Sequence, residues 1–340
     1  MCSDIGDVGG DPAGGRRAFV SLDPGKFDFI DRSCDFCSSS NLKEIHSFRM
    51  AGFLIQFSRC DDCGLIFQNP SLSKEARAHV YESQEYWEFS NVTDGDEADK
   101  DFVNYDSYIQ EEPLRRINAA VRAKRLSKEL PEGARIMDIG CSDGVFVDVL
   151  NAHGFKAEGI DISSTMVDYG RKSFGANVTV EDFEGQGGDN RQFDAITCFA
   201  TLSNFVNPSL VFANIARNLK PGGMFYFNFA DYTRWLSRLL ASRFYVYRLS
   251  AGTIYTADLV RQYCATNGMT IDELKTDRQS MPVARILGLI GFERALALLY
   301  RAKLDHVSVT APLYTGYIAV AHKTGKLVSD MVRSNALLNN

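Results

Sequence analysis

No apolar run in this chain reaches the length needed to cross a bilayer, and the first thirty residues lack the apolar core of a secretory signal. Those absences argue against a helical membrane span and lead to the expectation of a soluble, cytoplasmic protein. Excess positive charge is missing too: 37 Lys and Arg stand against 43 Asp and Glu, for a net charge of -6 and a pI near 5.5. A nucleic-acid binder working through a broad basic surface is therefore disfavoured. Cysteine is too sparse, at eight in 340 residues, for a disulfide scaffold. Bulky apolar residues are scarce in 1–26, where six glycines and two prolines predict a tail without fixed structure.

What is present is organised around residues 135–161, RIMDIGCSDGVFVDVLNAHGFKAEGID. A short apolar run from Arg135 to Ile139 ends in Gly140-Cys141-Ser142-Asp143-Gly144. A helical pattern follows in Val145, Phe146, Val149 and Leu150, and a second strand ends at Gly159-Ile160-Asp161. Glycine at 140 and 144 lets the chain turn tightly and a ligand come close. The helix behind the turn offers free N–H groups and a partial positive charge. Asp161, at the end of the second strand, is placed to accept ribose hydroxyls. A dinucleotide site wants G-x-G-x-x-G without an anion just ahead of it. Here the pattern is D-x-G-x-x-x-G, and the carboxylate of Asp138 suits a cationic ligand end such as an ammonium group.

Four of the cysteines form two tight pairs, Cys34/Cys37 and Cys60/Cys63, separated by 22 residues. Each C-x-x-C can aim two thiolates at one ion, and four thiolates at tetrahedral corners suit zinc. Such a site leaves no position for water, so the expected metal is structural. Between the pairs, Phe53, Ile55 and Phe57 alternate with Leu54, Gln56 and Ser58, as a ribbon strand would. Cys198 and Cys264 read as core packing.

The stretch at 138–144 resembles motif I of the class I S-adenosylmethionine (SAM) methyltransferases, with Ser142 where a glycine is common. The run Cys63-Gly64-Leu65 and the downstream pair Tyr86-Trp87 resemble the zinc-ribbon front end of bacterial methyltransferases of glycan and natural-product pathways. That resemblance implies an α/β fold: a Rossmann-like seven-stranded sheet in the order 3-2-1-4-5-7-6, helices on both faces, and a small N-terminal zinc ribbon. The implied division is a tail at 1–26, a ribbon at 27–72, a helical linker and cap at 73–130, a methyltransferase domain at 131–325 and a loose tail at 326–340. Implied cofactors are SAM and structural Zn2+. The cofactor set is Asp138, Gly140, Cys141, Ser142, Gly144, Asp161, Ile162, Asp182, Phe183, Phe199 and Ala200. In that fold an acid such as Asp182 takes the adenine amino group and an apolar neighbour such as Phe183 covers the ring; Asp182 as a mere turn residue is the alternative. The L-K-P-G-G turn at 219–223 is a further shared feature.

A helix over 112–130 is expected to bury Leu114, Ile117, Val121 and Leu126 and to turn Arg115, Arg116, Arg122, Lys124 and Arg125 to water. Residues 255–267 read as a helix, 270–276 as a strand, and 281–303 as an apolar helix suited to core packing, a lid or a homodimer contact. The aromatic, arginine-rich segment 231–256 is expected over the methyl donor, with Asn204, Tyr232, Tyr247 and Arg248 on the acceptor side. Relatives often carry Glu-His where this chain has Ser203-Asn204, and a histidine near Gly252. Candidates for a proton acceptor are then Asp231, Tyr245 and His306, with His46 and His79 in or near the ribbon. The expected activity is SAM-dependent methylation of a small molecule or glycan intermediate, on oxygen rather than carbon. A C-methyltransferase acting on a keto-sugar or natural product and a non-catalytic SAM-binding protein are the alternatives.

Overall fold

The computed structural model describes residues 27–50, 53–82, 108–109, 111–186, 190–240, 246–283, 286 and 307–324. The N-terminal part begins with β1 (Phe29–Ile30), β2 (Leu42–Met50), β3 (Phe53–Cys60), β4 (Ile66–Gln68) and β5 (Ser71–Leu72), followed by helix α1 (Lys74–Glu82). Strands β2, β3 and β4 run antiparallel, and β1 pairs with β5. Alternation along β3 buries Ile55 and Phe57 and leaves Leu54 46% exposed, the signature of a sheet with one wet face.

Helix α2 (Glu112–Leu126) leads into the alternating part: β6 (Arg135–Ile139), α3 (Val145–Ala152), β7 (Lys156–Asp161), α4 (Ser164–Phe174), β8 (Val178–Val180), α5 (Phe183–Gln186) and β9 (Phe193–Cys198). The chain continues through α6 (Pro208–Asn218), β10 (Leu219–Ala230), α7 (Trp235–Leu240), β11 (Thr253–Ile254), α8 (Ala257–Thr266), β12 (Met269–Pro282) and β13 (Ser308–Lys323). Among the described residues one seven-stranded sheet runs β12-β13-β10-β9-β6-β7-β8. Strands β6 to β10 are mutually parallel, and β13 is antiparallel to both neighbours. The order reverses between β6 and β9, which opens a crevice beyond their carboxyl ends, where ligands of such sheets bind. Ser163 caps α4 by accepting from Met166 N, and Gly175 ends it in the left-handed conformation. No helix among the described residues is long and apolar enough to cross a membrane.

Several expectations need correction. In α2, Ile117 and Val121 are 54% and 65% exposed, while Ala119, Ala123 and Leu126 are buried against α3 and its neighbours. Alanines win the inner face because they let two helix backbones approach closely. The arginines are not a wet face: Arg116 bridges Glu112 and Asp148, and Arg125 bridges Glu129 and Glu273. Replacing Val121 by serine should shift the unfolding free energy by less than about 0.5 kcal/mol. Ala123→Leu should overpack the α2–α3 seam and cost about 1–3 kcal/mol. Denaturant midpoints distinguish the two, and equal effects would count against this face assignment. The L-K-P-G-G segment lies inside β10, as an irregularity between Leu219 and Met224. Tyr255 precedes α8, whose cap is Thr256, and β12 extends through Pro282, so Met281 and Pro282 belong to a strand. Most of the helix expected over 281–303 lies outside the described residues.

The ribbon is welded to the large sheet. Strand β11, from within 231–256, adds an antiparallel edge to β4, pairing Thr253 with Phe67 and Ile254 with Ile66. Arg32 donates to the carbonyls of Gln68 (3.4 Å), Val206 and Gly252 (2.9 Å). Asp35 caps the start of α6 by accepting from Ser209 N (2.8 Å) and also takes the Tyr263 hydroxyl (3.0 Å). Cys34, Cys60, Leu65 and Phe67 share one buried cluster with Ile139, Ile160 and Phe227.

Candidate active site

The crevice is built first by the turn after β6. Gly140 and Cys141 donate to Ile160 O, and Ser142 N donates to Asp161 Oδ2 at 2.8 Å. Gly140 has φ +72°, and a Cβ there would sit 2.3 Å from Thr201 Oγ1, so only glycine fits between the turn and Thr201. Gly144 opens α3 at φ +77°. The turn thus lies between the residues after β7 and those after β9.

Two carboxylates flank it. Asp138 is 5% exposed and accepts from Thr197 Oγ1 at 2.6 Å. Burial pushes its carboxyl up to about 7; the Thr197 hydrogen bond and Arg122 pull it down, and Asp161 pushes it further up. Asp161 accepts from Ser142 N and, through Oδ1, from Ser163 N at 2.9 Å. Burial raises its pKa against the pull of those N–H groups. Each of its oxygens keeps a lone pair for a further donor.

Sequence reading missed the cover over this turn. Asp143 is fully buried and receives two 2.7 Å bonds from Arg115, whose guanidinium lies 4.0 Å from the Tyr108 ring centroid. Arg122 stacks 3.9 Å over the Phe199 ring and faces Asp138, Asp277 and Tyr226. Arg115 and Arg122, seven residues apart and so on one side of α2, were the available signal.

After β9 the backbone is pinned. Ala200 takes φ 57°, a costly value for a residue with a Cβ, and its N–H donates to Asn228 Oδ1 at 2.7 Å. Asn228 donates to Asp277 Oδ2 at 2.8 Å, which also accepts from Gln279. Phe199 packs edge-on against Phe146 and Tyr226. Ile162 packs instead against the ribbon-side apolar cluster. Asp182 is paired with Lys74 at 3.0 Å and accepts from Glu184 N, and Phe183 is 3% exposed within the core. A ring-covering role for Phe183 is therefore not supported by its placement.

Beyond Thr201 in the chain, Arg248 Nη2 donates to Asn204 Oδ1 at 3.0 Å, and Gly252 N donates to Ser203 O at 2.9 Å. Ser203-Asn204 and Gly252 are thus neighbours here. Tyr232 donates to Gly64 O at 3.0 Å, and Tyr247 meets the rings of His46 (4.5 Å) and Phe57 (5.1 Å). Burial lowers the pKa of His46 and raises those of Tyr232 and Tyr247. Asp231 is a correction: 2% exposed, it accepts from Thr233 N, Thr233 Oγ1 and Ala257 N, so it holds the turn before α7 and the start of α8. Tyr245 and His306 lie outside the described residues. His79, on α1, meets the Phe27 ring at a tilt, with centroids 5.6 Å apart.

The four paired cysteines come together, their sulfurs all within 4.8 Å of one another. Cys34 and Cys63 are 3.4 Å apart, and Cys37 and Cys60 3.5 Å. A tetrahedral zinc site has sulfur edges of about 3.8 Å, so small adjustments would seat one ion. Gly64 N turns back to Cys60 O, and Ser38 N to Cys34 O, closing both knuckles. Cys198 and Cys264 are fully buried.

A family model described as a methyltransferase domain matches residues 105–274, half of the 340-residue chain. The chain is 27% identical over 157 residues to a ubiquinone biosynthesis O-methyltransferase of Coxiella burnetii, covering 44% of this chain and 67% of that one. It is 27% identical over 158 residues to the enzyme of the same name from Pasteurella multocida, covering 42% and 63%. Among solved structures, magnesium protoporphyrin IX methyltransferase from Synechocystis with bound SAH, the demethylated cofactor, aligns with a TM-score of 0.43 and 16% identity, over 64% of this chain and 87% of that one. With a motif I turn set at the reversal point of its sheet and half its length matched, this chain belongs to the methyltransferase-domain family and is a SAM-dependent methyltransferase.

Proposed function

We propose that this enzyme methylates a small-molecule or glycan-intermediate acceptor on oxygen, with SAM held between β6, β7 and β9 and one structural zinc in the ribbon. The observation that carries the reading is the pair of buried carboxylates, Asp138 and Asp161, on either side of a turn where Thr201 leaves room only for glycine. In this reading Asp138 faces the cofactor's ammonium group and Asp161 its ribose hydroxyls. Tyr108 and Arg115 cover the turn, and Phe199 and Ala200 form the far wall. The names of the relatives support oxygen as the acceptor atom. The division into ribbon, linker and catalytic parts is retained, with the difference that β11 belongs to the ribbon's sheet.

When bound, SAM supplies a methyl group on a positively charged sulfur, open to in-line displacement. What the chain contributes is position and dryness. Asp138, kept in place by Thr197, fixes one end of the cofactor, and the Asn228–Asp277 pair holds the strand end at Ala200 rigid. His46 and Tyr247, backed by the buried Phe57, give the acceptor an aromatic wall. Calorimetry with SAH and with a nicotinamide dinucleotide, followed by radiolabelled methyl transfer to fractionated metabolites, tests the proposal. Uptake of the dinucleotide without uptake of SAH would overturn it.

A further inference from the structure

We propose that the acceptor is an oxyanion, a carboxylate or a phosphate monoester, and that Arg248 binds its charged group beside the methyl-donor turn. This rests on the reading of the turn after β6 as the donor site.

Most of the other partly buried arginines meet an acid or a set of carbonyls, and Arg122 stacks on Phe199 facing Asp138 and Asp277. Arg77 is paired with Glu184, Arg115 with Asp143, Arg191 with Glu158 and Glu181, and Arg32 is spread over three carbonyls. Arg248 is different. Its Nε is buried without an acceptor, as are those of Arg77, Arg115 and Arg191, but where they meet carboxylates through their other nitrogens, its hydrogen bond is to a neutral amide, Asn204 Oδ1. No carboxylate among the described residues lies within ion-pair distance of it. A buried donor without a partner is destabilising, the more so when it is charged. A guanidinium also presents five donors in a planar fork that matches a carboxylate or phosphate edge on two points. Asn204 takes one N–H of Nη2 and so fixes the plane of the fork, leaving Nη1 and the second N–H of Nη2, which share an edge, for a ligand.

Position makes this relevant to the reaction. The side chain of Thr201 is pressed against Gly140, and Asn204 N donates to Thr201 O at 2.8 Å. The turn from Thr201 to Asn204 therefore connects the donor turn directly to Arg248. Tyr255 and Thr253 hold that turn by donating to Leu202 O (3.2 Å) and Phe205 O (3.0 Å), so Arg248 is not needed to keep it in place. Next to Arg248, Tyr247 and His46, backed by the buried Phe57, offer an aromatic wall for the apolar body of such an acid.

The test is calorimetry on the full chain, with and without saturating SAH, using benzoate and phenyl phosphate as probes and benzamide as the uncharged control. One of the two anions should bind at least about tenfold more tightly than benzamide, as expected for a charge-assisted pair. Which one binds separates a carboxylate from a phosphate acceptor. Arg248→Gln should remove that preference while SAH affinity and the thermal midpoint stay as in the parent. Arg248→Lys, which keeps charge but not the fork, should fall between them, and it carries the test should the glutamine variant fail to fold. Anions that bind no better than benzamide, or that bind the variants as well as the parent, would overturn the proposal. Anion binding without any SAH uptake would instead count against the donor-site reading and leave Arg248's role standing.

Discussion

Purified without chelator, the protein is expected to carry one zinc ion per chain, and Cys60→Ser is expected to remove the folded state of the large sheet as well as of the ribbon. Cys60 is fully buried in the same cluster as Ile139 and Ile160, the residues that set the donor turn. The knuckle that begins at Cys34 carries Asp35, which caps α6 and holds Tyr263, and the preceding Arg32 hooks the carbonyls of Val206 and Gly252. A structural zinc contributes an apparent 10–16 kcal/mol, roughly. That equals or exceeds the roughly 5–15 kcal/mol by which a domain is stable at all. Loss of the ion therefore decides the fold rather than trimming it, and the damage should spread to the crevice through α6 and β11. Elemental analysis, thermal melts with and without chelator, and SAH calorimetry on the stripped protein measure this. A chelator that removes the metal while melt and SAH affinity stay put would mean that the ribbon is an independent appendage.

How far the sequence could be read depended on whether the signal was local. The turn at 138–144, its two carboxylates and both C-x-x-C pairs are contiguous patterns whose chemistry is legible without a fold, and the structure brings each set together. The orientation of α2 was not legible. Ile117 and Val121 fit a helical stripe as well as Ala119 and Ala123 do, and only the closeness of α3 favours the small residues. Arg115 and Arg122 were misread for the same reason, since their partners Asp143 and Phe199 are 28 and 77 residues further along the chain. Asp231 looked available because an acid in an aromatic segment invites a catalytic role, but three donors, one from Ala257, already occupy it. Pairing of β11 with β4 is a long-range event between two-residue and three-residue strands, too short for any periodicity to announce.

The second large effect concerns Asp138 and has a sign that separates binding from stability. Its carboxyl is held at about 7 in the folded chain against an ordinary value of 3.8, chiefly because burial penalises the charge. An acid whose folded value is raised favours the fold while protonated. Without ligand, the chain therefore loses stability as pH rises from about 4 to about 7, by something on the order of 4 kcal/mol from this group. A cationic ligand end needs the ionised form, so its binding must drive off the proton. SAH affinity should accordingly rise about tenfold between pH 6 and pH 8 and flatten above, with proton release visible as a buffer-dependent heat. Asp138→Asn keeps a side-chain oxygen for Thr197 and carries no charge, so at pH 8 the unliganded variant should be the more stable protein. Yet it should lose SAH by about 2–5 kcal/mol, the usual cost of removing one partner of a buried charge pair. Denaturation and calorimetry at both pH values measure the two effects independently. A variant that binds SAH as the parent does, or a parent whose affinity is level from pH 6 to pH 8, would show that the ammonium group is held elsewhere, and that the buried carboxylate serves only to fasten β6 to β9 through Thr197.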